Sequence, residues 1–318
     1  MTEFKAKETL DGVFETDIRL GFNDVTVTPG IAEKALELNY SGQRRLSGDN
    51  VSQRARDMQA GRWRGMETAT AIQVTPDGVL IDGQHTLNAV IAADMPVEMH
   101  VFVGGTVDCF DVIDSGRVRS VSSRLGNIKS SDKVAAVARR LTCLEFGASL
   151  TQAINGQIPR AGTLAGKARH PSQAEVLDFC HRCMPKLGFY VKEADCVYRA
   201  TGKASTPSNV GTFLALEDAA GKMDDALLFL DDLCSVPPST TAAFVTWRAM
   251  TNAAAGRKSR AGAASAADDI GFLLKGFDAF DKGREIKLIR KPEESVSKFD
   301  VSVLDFSRWE GEPEELAV

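Results

Sequence analysis

The stretch Val79-Leu80-Ile81-Asp82-Gly83-Gln84-His85-Thr86-Leu87-Asn88-Ala89-Val90-Ile91 leaves its backbone few choices. Val79 to Ile81 form a short apolar strand, Asp82-Gly83 a sharp turn, and Leu87, Val90 and Ile91 recur at helical spacing from a start near Gln84. A strand that turns through glycine into a helix gathers backbone N–H groups and the positive end of a helix dipole at one point. Asp82, Gln84, His85 and Thr86 crowd that point, so it is an anion pocket with side chains capable of chemistry. The alternative is an ordinary strand-to-helix connection whose polar residues only cap the helix.

The surrounding chain supplies the context. Alternation around Val25-Thr26-Val27 predicts a first strand, and Thr28-Pro29 opens a helix with Thr28 as N-cap. Gln43-Arg44-Arg45 closes a polar loop, Ser47 caps a helix over about 48–60, and Gly61 ends it before Arg62-Trp63-Arg64. Residues 70–74 form a strand, and Pro76-Asp77-Gly78 turns it back into Val79-Leu80-Ile81 as a hairpin. Val97 to Val103 alternates as another strand, a short helix follows near 106–113, and Asp114-Ser115-Gly116-Arg117-Val118-Arg119 is turn-like and basic. Beyond about residue 117 strand signals stop. Helical spacing runs on through Val134-Val137-Leu141-Leu144, Leu227-Leu230-Leu233 and Ile270-Leu273-Phe277-Phe280. Residues 155–170 and 256–267 look like mobile basic loops, and 311–318 like an acidic tail. The expected class is α+β: a mixed α/β head over residues 1–125 and a helical domain over 126–310.

Composition narrows the function. With 318 residues, 43% hydrophobic and 25% charged, the chain is long enough for two ordinary cores. No apolar run approaches the roughly 20 residues of a membrane span. The first residues lack a signal-peptide layout, so the expected compartment is cytoplasm, the host's if the chain is phage-encoded. Six cysteines make no disulfide scaffold. Cys180-His181-Arg182-Cys183 has metal-like spacing, but no second pair completes a site, so no metal centre built by the protein is expected. A net charge of −5 argues against sequence-blind DNA coating while leaving room for a local basic face.

The order of these parts, from about residue 25 to 125, resembles the ParB/sulfiredoxin-like superfamily. More narrowly it resembles the phage- and plasmid-borne branch with a DGQHR-type signature. Gln43-Arg44-Arg45, the helix ending at Gly61, Ile72-Gln73-Val74, the box Leu80 to His85 and the strand Val97 to Val103 follow in the family's sequence. Asp114 to Arg119 resembles the branch's Asp-x-Gly-Arg segment, and Asp281-Lys282-Gly283-Arg284 resembles the tail of those phage proteins. The resemblance implies a ParB/sulfiredoxin-like head whose box binds a nucleoside triphosphate, CTP or ATP, with Mg2+. Carried over, Gly83 allows close backbone approach, Gln84 and His85 face the phosphates, and Thr86 lies at the helix start. Two departures matter. Gln84 stands where sulfiredoxin has its catalytic cysteine, which excludes that chemistry. Thr86 stands where the family has an arginine, so positive charge must come from Arg44, Arg45 or Arg117.

Other residues carry candidate roles. His85 can donate to a phosphate or relay a proton, or simply hydrogen-bond at a helix start. Asp82 can hold a metal ion on a nucleotide or accept a proton, and a tight turn explains an Asp-Gly pair equally well. Glu67 is a third catalytic candidate, because kinases of the superfamily use a glutamate as base. Arg54, Arg62, Trp63, Arg64 and Arg119 are candidates for nucleic-acid contact, with the indole stacking on a base. The leading expectation is therefore a nucleotide-binding NTPase or phosphotransferase acting in phage or plasmid DNA metabolism. The competing one is a non-catalytic DNA-binding, partition-like adaptor. A nuclease ranks last, since no carboxylate–histidine cluster is spaced for two metals. Implied partners are a nucleotide, DNA and a second copy of the chain, with no membrane.

Overall fold

A computed structural model of the chain describes residues 4–43, 46–68, 70–111, 120–125, 128–159, 169–256 and 263–309. The fold is α+β, with two compact units. One comprises Met1–Val118 with Gly162–Ala174, the other Arg119–Ala161 with Glu175–Val318.

The first unit is a four-stranded mixed sheet with helices on one face. Its elements are α1 (Lys7–Phe14), β1 (Gly21–Val27), α2 (Pro29–Glu37), α3 (Gly48–Gln59), β2 (Ala71–Val74), β3 (Leu80–Asp82), α4 (Gln84–Ala93) and β4 (Val97–Val103). The strand order is β1-β4-β2-β3. β1 runs antiparallel to β4 (Val25 opposite Met99), β2 parallel to β4 (Ile72 opposite Val101), and β2 antiparallel to β3 (Gln73 opposite Asp82). The alternation read from Val97 to Val103 is the observed one: Val97, Met99, Val101 and Val103 are buried, and Glu98 is exposed. With Val25, Val27, Ile72, Val74 and Leu80 they pack against Ile31, Ala35, Val51, Met58, Leu87 and Val90 of the helices. The sheet's other face carries Phe22, Phe102 and His100, whose rings touch.

Local signals set these elements. The Thr28 side chain accepts from the Ile31 N–H and Pro29 opens α2, while Ser47 accepts from the Asn50 N–H at the start of α3. In the hairpin, Val79 O accepts from the Thr75 N–H, and Gly78 sits at φ +86°. The free edge of β3 is covered by the segment before α3. Leu80 N–H donates to Leu38 O at 2.8 Å, and Tyr40 N–H donates to Leu80 O at 3.0 Å.

The second unit is helical among the described residues: α5 (Val121–Arg124), α6 (Ser131–Glu145), α7 (Leu150–Ile154), α8 (Gln173–Ala200), α9 (Pro207–Ala219), α10 (Met223–Cys234), α11 (Thr241–Gly256), α12 (Ala263–Asp281) and α13 (Glu293–Ser297). Phe213, Phe229, Phe277 and Phe280 form an aromatic centre, and α9 is buried on nearly every side. Cys180 and Cys183 lie wholly in this core, where burial pushes the Cys180 thiol up to about 12. A buried polar network crosses it. Arg140 donates to Thr212 Oγ1 and Asn209 Oδ1, and Asn209 donates to the fully buried carboxylate of Asp269.

Two expectations need correction. Residues 256–267 are not one loop: Gly256 ends α11, and α12 begins at Ala263, leaving 257–262 outside the described residues. The alanine-rich run Ala263-Ala264-Ser265-Ala266-Ala267 favours helix, which outweighs its small-residue character. The helix expected near 106–113 is a 3-10 turn over Val107–Asp111. The first residues contain α1, held by Leu10 and Phe14 one turn apart in the core. No helix among the described residues is long and apolar enough to cross a membrane.

Candidate functional site

β3 ends at Asp82, and α4 begins at Gln84 with Gly83 as its N-cap. Gly83 has φ +111°, and a Cβ there would lie 3.1–3.3 Å from Ile72 atoms on neighbouring β2. Glycine is therefore required twice, by backbone conformation and by proximity. Among the described residues no side chain caps α4, and the N–H groups of a helix's first turn must find partners outside the helix. The helix presents the dipole end anticipated from its sequence.

The polar residues around this end divide by what they already do. Asp82 Oδ1 accepts from the Gly83 N–H at 2.7 Å, so its carboxylate closes the turn. His85 Nε2 accepts from the Ser47 N–H at 3.0 Å and thereby ties α4 to the N-cap of α3. An acceptor role at Nε2 places the ring proton of the neutral imidazole on Nδ1. Gln84 is buried, 7% exposed, and its carbonyl accepts from Asn88 Nδ2. Thr86 is equally buried, and its hydroxyl accepts from Arg54 Nη1 at 2.7 Å.

Through that last contact Arg54 reaches from α3 to the first turn of α4. Its guanidinium also lies 6.0 Å from the Trp63 ring, giving it a second point of support. Arg54, expected as a nucleic-acid contact, is held against Thr86 at the start of α4. The sequence signal was present: Val51, Arg54, Ala55 and Met58 are spaced i, i+3, i+4, i+7, so Arg54 falls within the inward stripe of α3.

Gln43 is a positioning residue that the sequence did not mark. Its amide donates to Leu80 O at 3.3 Å and to Ile81 O at 3.0 Å, which fixes the end of the polar loop against β3. Arg44 and Arg45 follow directly; they, Arg117 and Arg119 lie outside the described residues.

The remaining candidates lie elsewhere in the unit. Glu67 is exposed and paired with Arg64 at 2.8 Å. It lines a shallow cleft with Met58, Trp63, Met95 and Pro96, which includes none of residues 82–86. Arg62 is held by Asp57 at 3.1 Å, and Asp57 also accepts from Ser172 Oγ. Trp63 packs against the core, with its indole N–H buried and without an acceptor among the described residues. The basic stretch is therefore not a single face. Arg54 turns inward, Arg62 and Arg64 have acidic partners, and Trp63 is half-buried.

Among the described residues no group of three or more His, Cys, Asp or Glu side chains converges on a metal position. Any Mg2+ here would be brought by a nucleotide, with Asp82 as the nearest carboxylate of the box. Compared with known protein families, characterised proteins and solved structures, the chain matches none.

Proposed function

We propose that the first unit is a nucleotide-binding head whose phosphate subsite is the N-terminus of α4, in a protein of NTPase or phosphotransferase type serving phage or plasmid DNA metabolism. The observation that carries the reading is Arg54 on Thr86: a guanidinium held at the positive end of a helix, beside a glycine in a left-handed conformation. Two positive groups at one helix start favour a polyanion, and phosphate fits both the N–H donors and the planar fork of arginine.

The chain's residues would act by binding and orienting. Gly83 lets phosphate oxygens approach the backbone, and Arg54 neutralises charge from the side. His85, tied to α3 through Ser47, would hold the start of α4 in place for the phosphate. A nucleotide would bring Mg2+ to spread the phosphate charge, and phosphoryl transfer would then depend on positioning and electrostatics.

One observation favours a second reading, a nucleotide-gated adaptor that does not hydrolyse. Asp82 and His85, the two residues of the box suited to proton transfer, both hold the local fold together. In that case nucleotide binding would alter the α3–α4 pair and thereby a DNA- or protein-binding surface.

Thermal unfolding with Mg2+ and CTP, ATP, ADP or GTP tests both readings. A ligand at about 100 times its Kd stabilises by about 2.7 kcal/mol. Absence of any shift defeats the nucleotide reading altogether. A shift without turnover of the nucleotide selects the adaptor, and turnover selects the enzyme.

A further inference from the structure

A cavity of about 620 Å³ opens in the helical unit between the end of α9, the C-terminal half of α12, α13 and the turn after it. Its apolar wall is Leu274, Phe277 and Phe299. Its size falls in the usual range of small-molecule pockets.

The charged groups lining it have partners, with one exception. Lys222 pairs with Asp281 at 2.6 Å, and its ammonium lies 6.0 Å from the centre of the Phe277 ring. Lys275 donates to Arg290 O, and Lys298 pairs with Glu294. Asp278 binds Lys282 and Arg284, and Asp300 accepts from the N–H and hydroxyl of Ser302. Glu217, in the last turn of α9, is 5% exposed and lines the cavity; its backbone oxygen accepts from the Lys222 N–H at 2.7 Å, but its carboxylate makes no hydrogen bond or ion pair with any described residue. A carboxylate buried to this degree is costly unless something satisfies it.

We propose that this cavity binds a small aliphatic amine, with its ammonium on Glu217 and its hydrocarbon stem along Leu274, Phe277 and Phe299. The protein already demonstrates the chemistry on itself, since the Lys222 ammonium sits at the junction of a carboxylate and an aromatic face in the same cavity. The balance of the lining charges points the same way: five carboxylates face three lysines. The C-terminal end of α9 adds the negative end of a helix dipole. Burial raises the Glu217 carboxyl to about 7, opposed by Lys222 and reinforced by Asp281 and Asp278. Burial thus favours the neutral carboxyl, and a cation beside it would favour the ionised form.

Titration calorimetry of the full chain with 1,5-diaminopentane tests the assignment, with 1,5-pentanediol as the uncharged match and Nα-acetyl-lysine amide as a peptide-borne ammonium. The diamine is expected to bind, the diol not, and the diamine Kd to rise about tenfold from pH 8 to pH 6 as Glu217 takes up a proton. Glu217→Gln should weaken the diamine at least tenfold at pH 8. As a readout independent of that variant, the Glu217 side-chain carbonyl, followed by carbon NMR, should titrate at lower pH when diamine is bound. Equal binding of diol and diamine, a Kd indifferent to pH, or an unmoved Glu217 titration overturns the proposal. Tighter binding of the acetyl-lysine amide overturns the small-molecule assignment in favour of a protein partner.

Discussion

Arg54 on α3 donates from Nη1 to the hydroxyl of Thr86 on α4 over 2.7 Å, bringing a cation from one helix to the start of the next. The Thr86 hydroxyl carries no charge of its own. It accepts an arginine delivered from 32 residues earlier in the chain. The α3–α4 pair is thus the unit from which a phosphate site would be built, with Gly83 supplying backbone and Arg54 supplying charge.

The first prediction concerns that charge. Arg54→Met keeps most of the stem's packing against Trp63 and removes the guanidinium. Loss of a hydrogen bond involving a charged group costs roughly 1.5–3 kcal/mol, so Mg2+–nucleotide affinity should fall roughly 10- to 100-fold. The unliganded variant should also lose up to about 1–3 kcal/mol of stability, because the buried Thr86 hydroxyl loses its donor. Calorimetric Kd values for wild type and variant check this; equal affinities would remove Arg54 from the site.

Gly83→Ala is expected to act mainly on stability. The new Cβ would meet Ile72 at 3.1–3.3 Å on a backbone at φ +111°, where L-residues are strained. A cost of about 1–3 kcal/mol should appear as a lower urea midpoint with an unchanged slope. Ile72→Ala removes both γ carbons that the new Cβ would meet, so in that background the cost of Gly83→Ala should fall to its backbone part. A Gly83→Ala protein as stable as wild type would show that the turn tolerates a side chain.

How much of this was legible in the sequence can be judged from the same residues. The strand, turn and helix around Gly83 follow from local rules, as do the caps at Thr28 and Ser47, because each depends on neighbours within four residues. The β4 alternation was equally plain. Arg54 was half-legible: its place in the apolar stripe of α3 was visible, but its partner 32 residues away was not. The returning segment was not legible at all. His170 N–H donates to Asp49 and Ser172 donates to Asp57, contacts more than 100 residues apart that no local pattern encodes. The Glu217 cavity was hidden for a similar reason, since it takes shape only when α9, α12 and α13 meet.

His85 should be identifiable by its tautomer. With Nε2 accepting from Ser47 N–H, the neutral ring carries its proton on Nδ1, and long-range nitrogen–proton correlation NMR should show that pattern. His85→Phe leaves the Ser47 N–H without its acceptor, at a cost of about 1–3 kcal/mol. His85→Gln, whose carbonyl can replace the acceptor, should recover part of it. A ring protonated on Nε2 would contradict the tether.

The last prediction concerns stability against pH in the helical unit. Burial raises the Glu217 carboxyl from its ordinary 4.5 to about 7, with Asp281 and Asp278 adding to the shift and Lys222 opposing it. The native state therefore holds the proton more tightly than the unfolded chain does. The associated stability is fully present below about pH 4.5, declines as the pH rises, and is gone above about pH 7. A shift of this size corresponds to at most about 3 kcal/mol. Other carboxylates with depressed values, Glu294 and Asp300 among them, contribute the opposite slope, so the whole-protein profile does not isolate Glu217. The difference between wild type and Glu217→Gln does. Urea unfolding at pH 5 and pH 8 should show the variant gaining on wild type as the pH rises, because an uncharged amide in this cavity is never ionised. Parallel profiles for the two proteins would mean that Glu217 is ionised in the native state at pH 5, with a counter-charge already seated beside it.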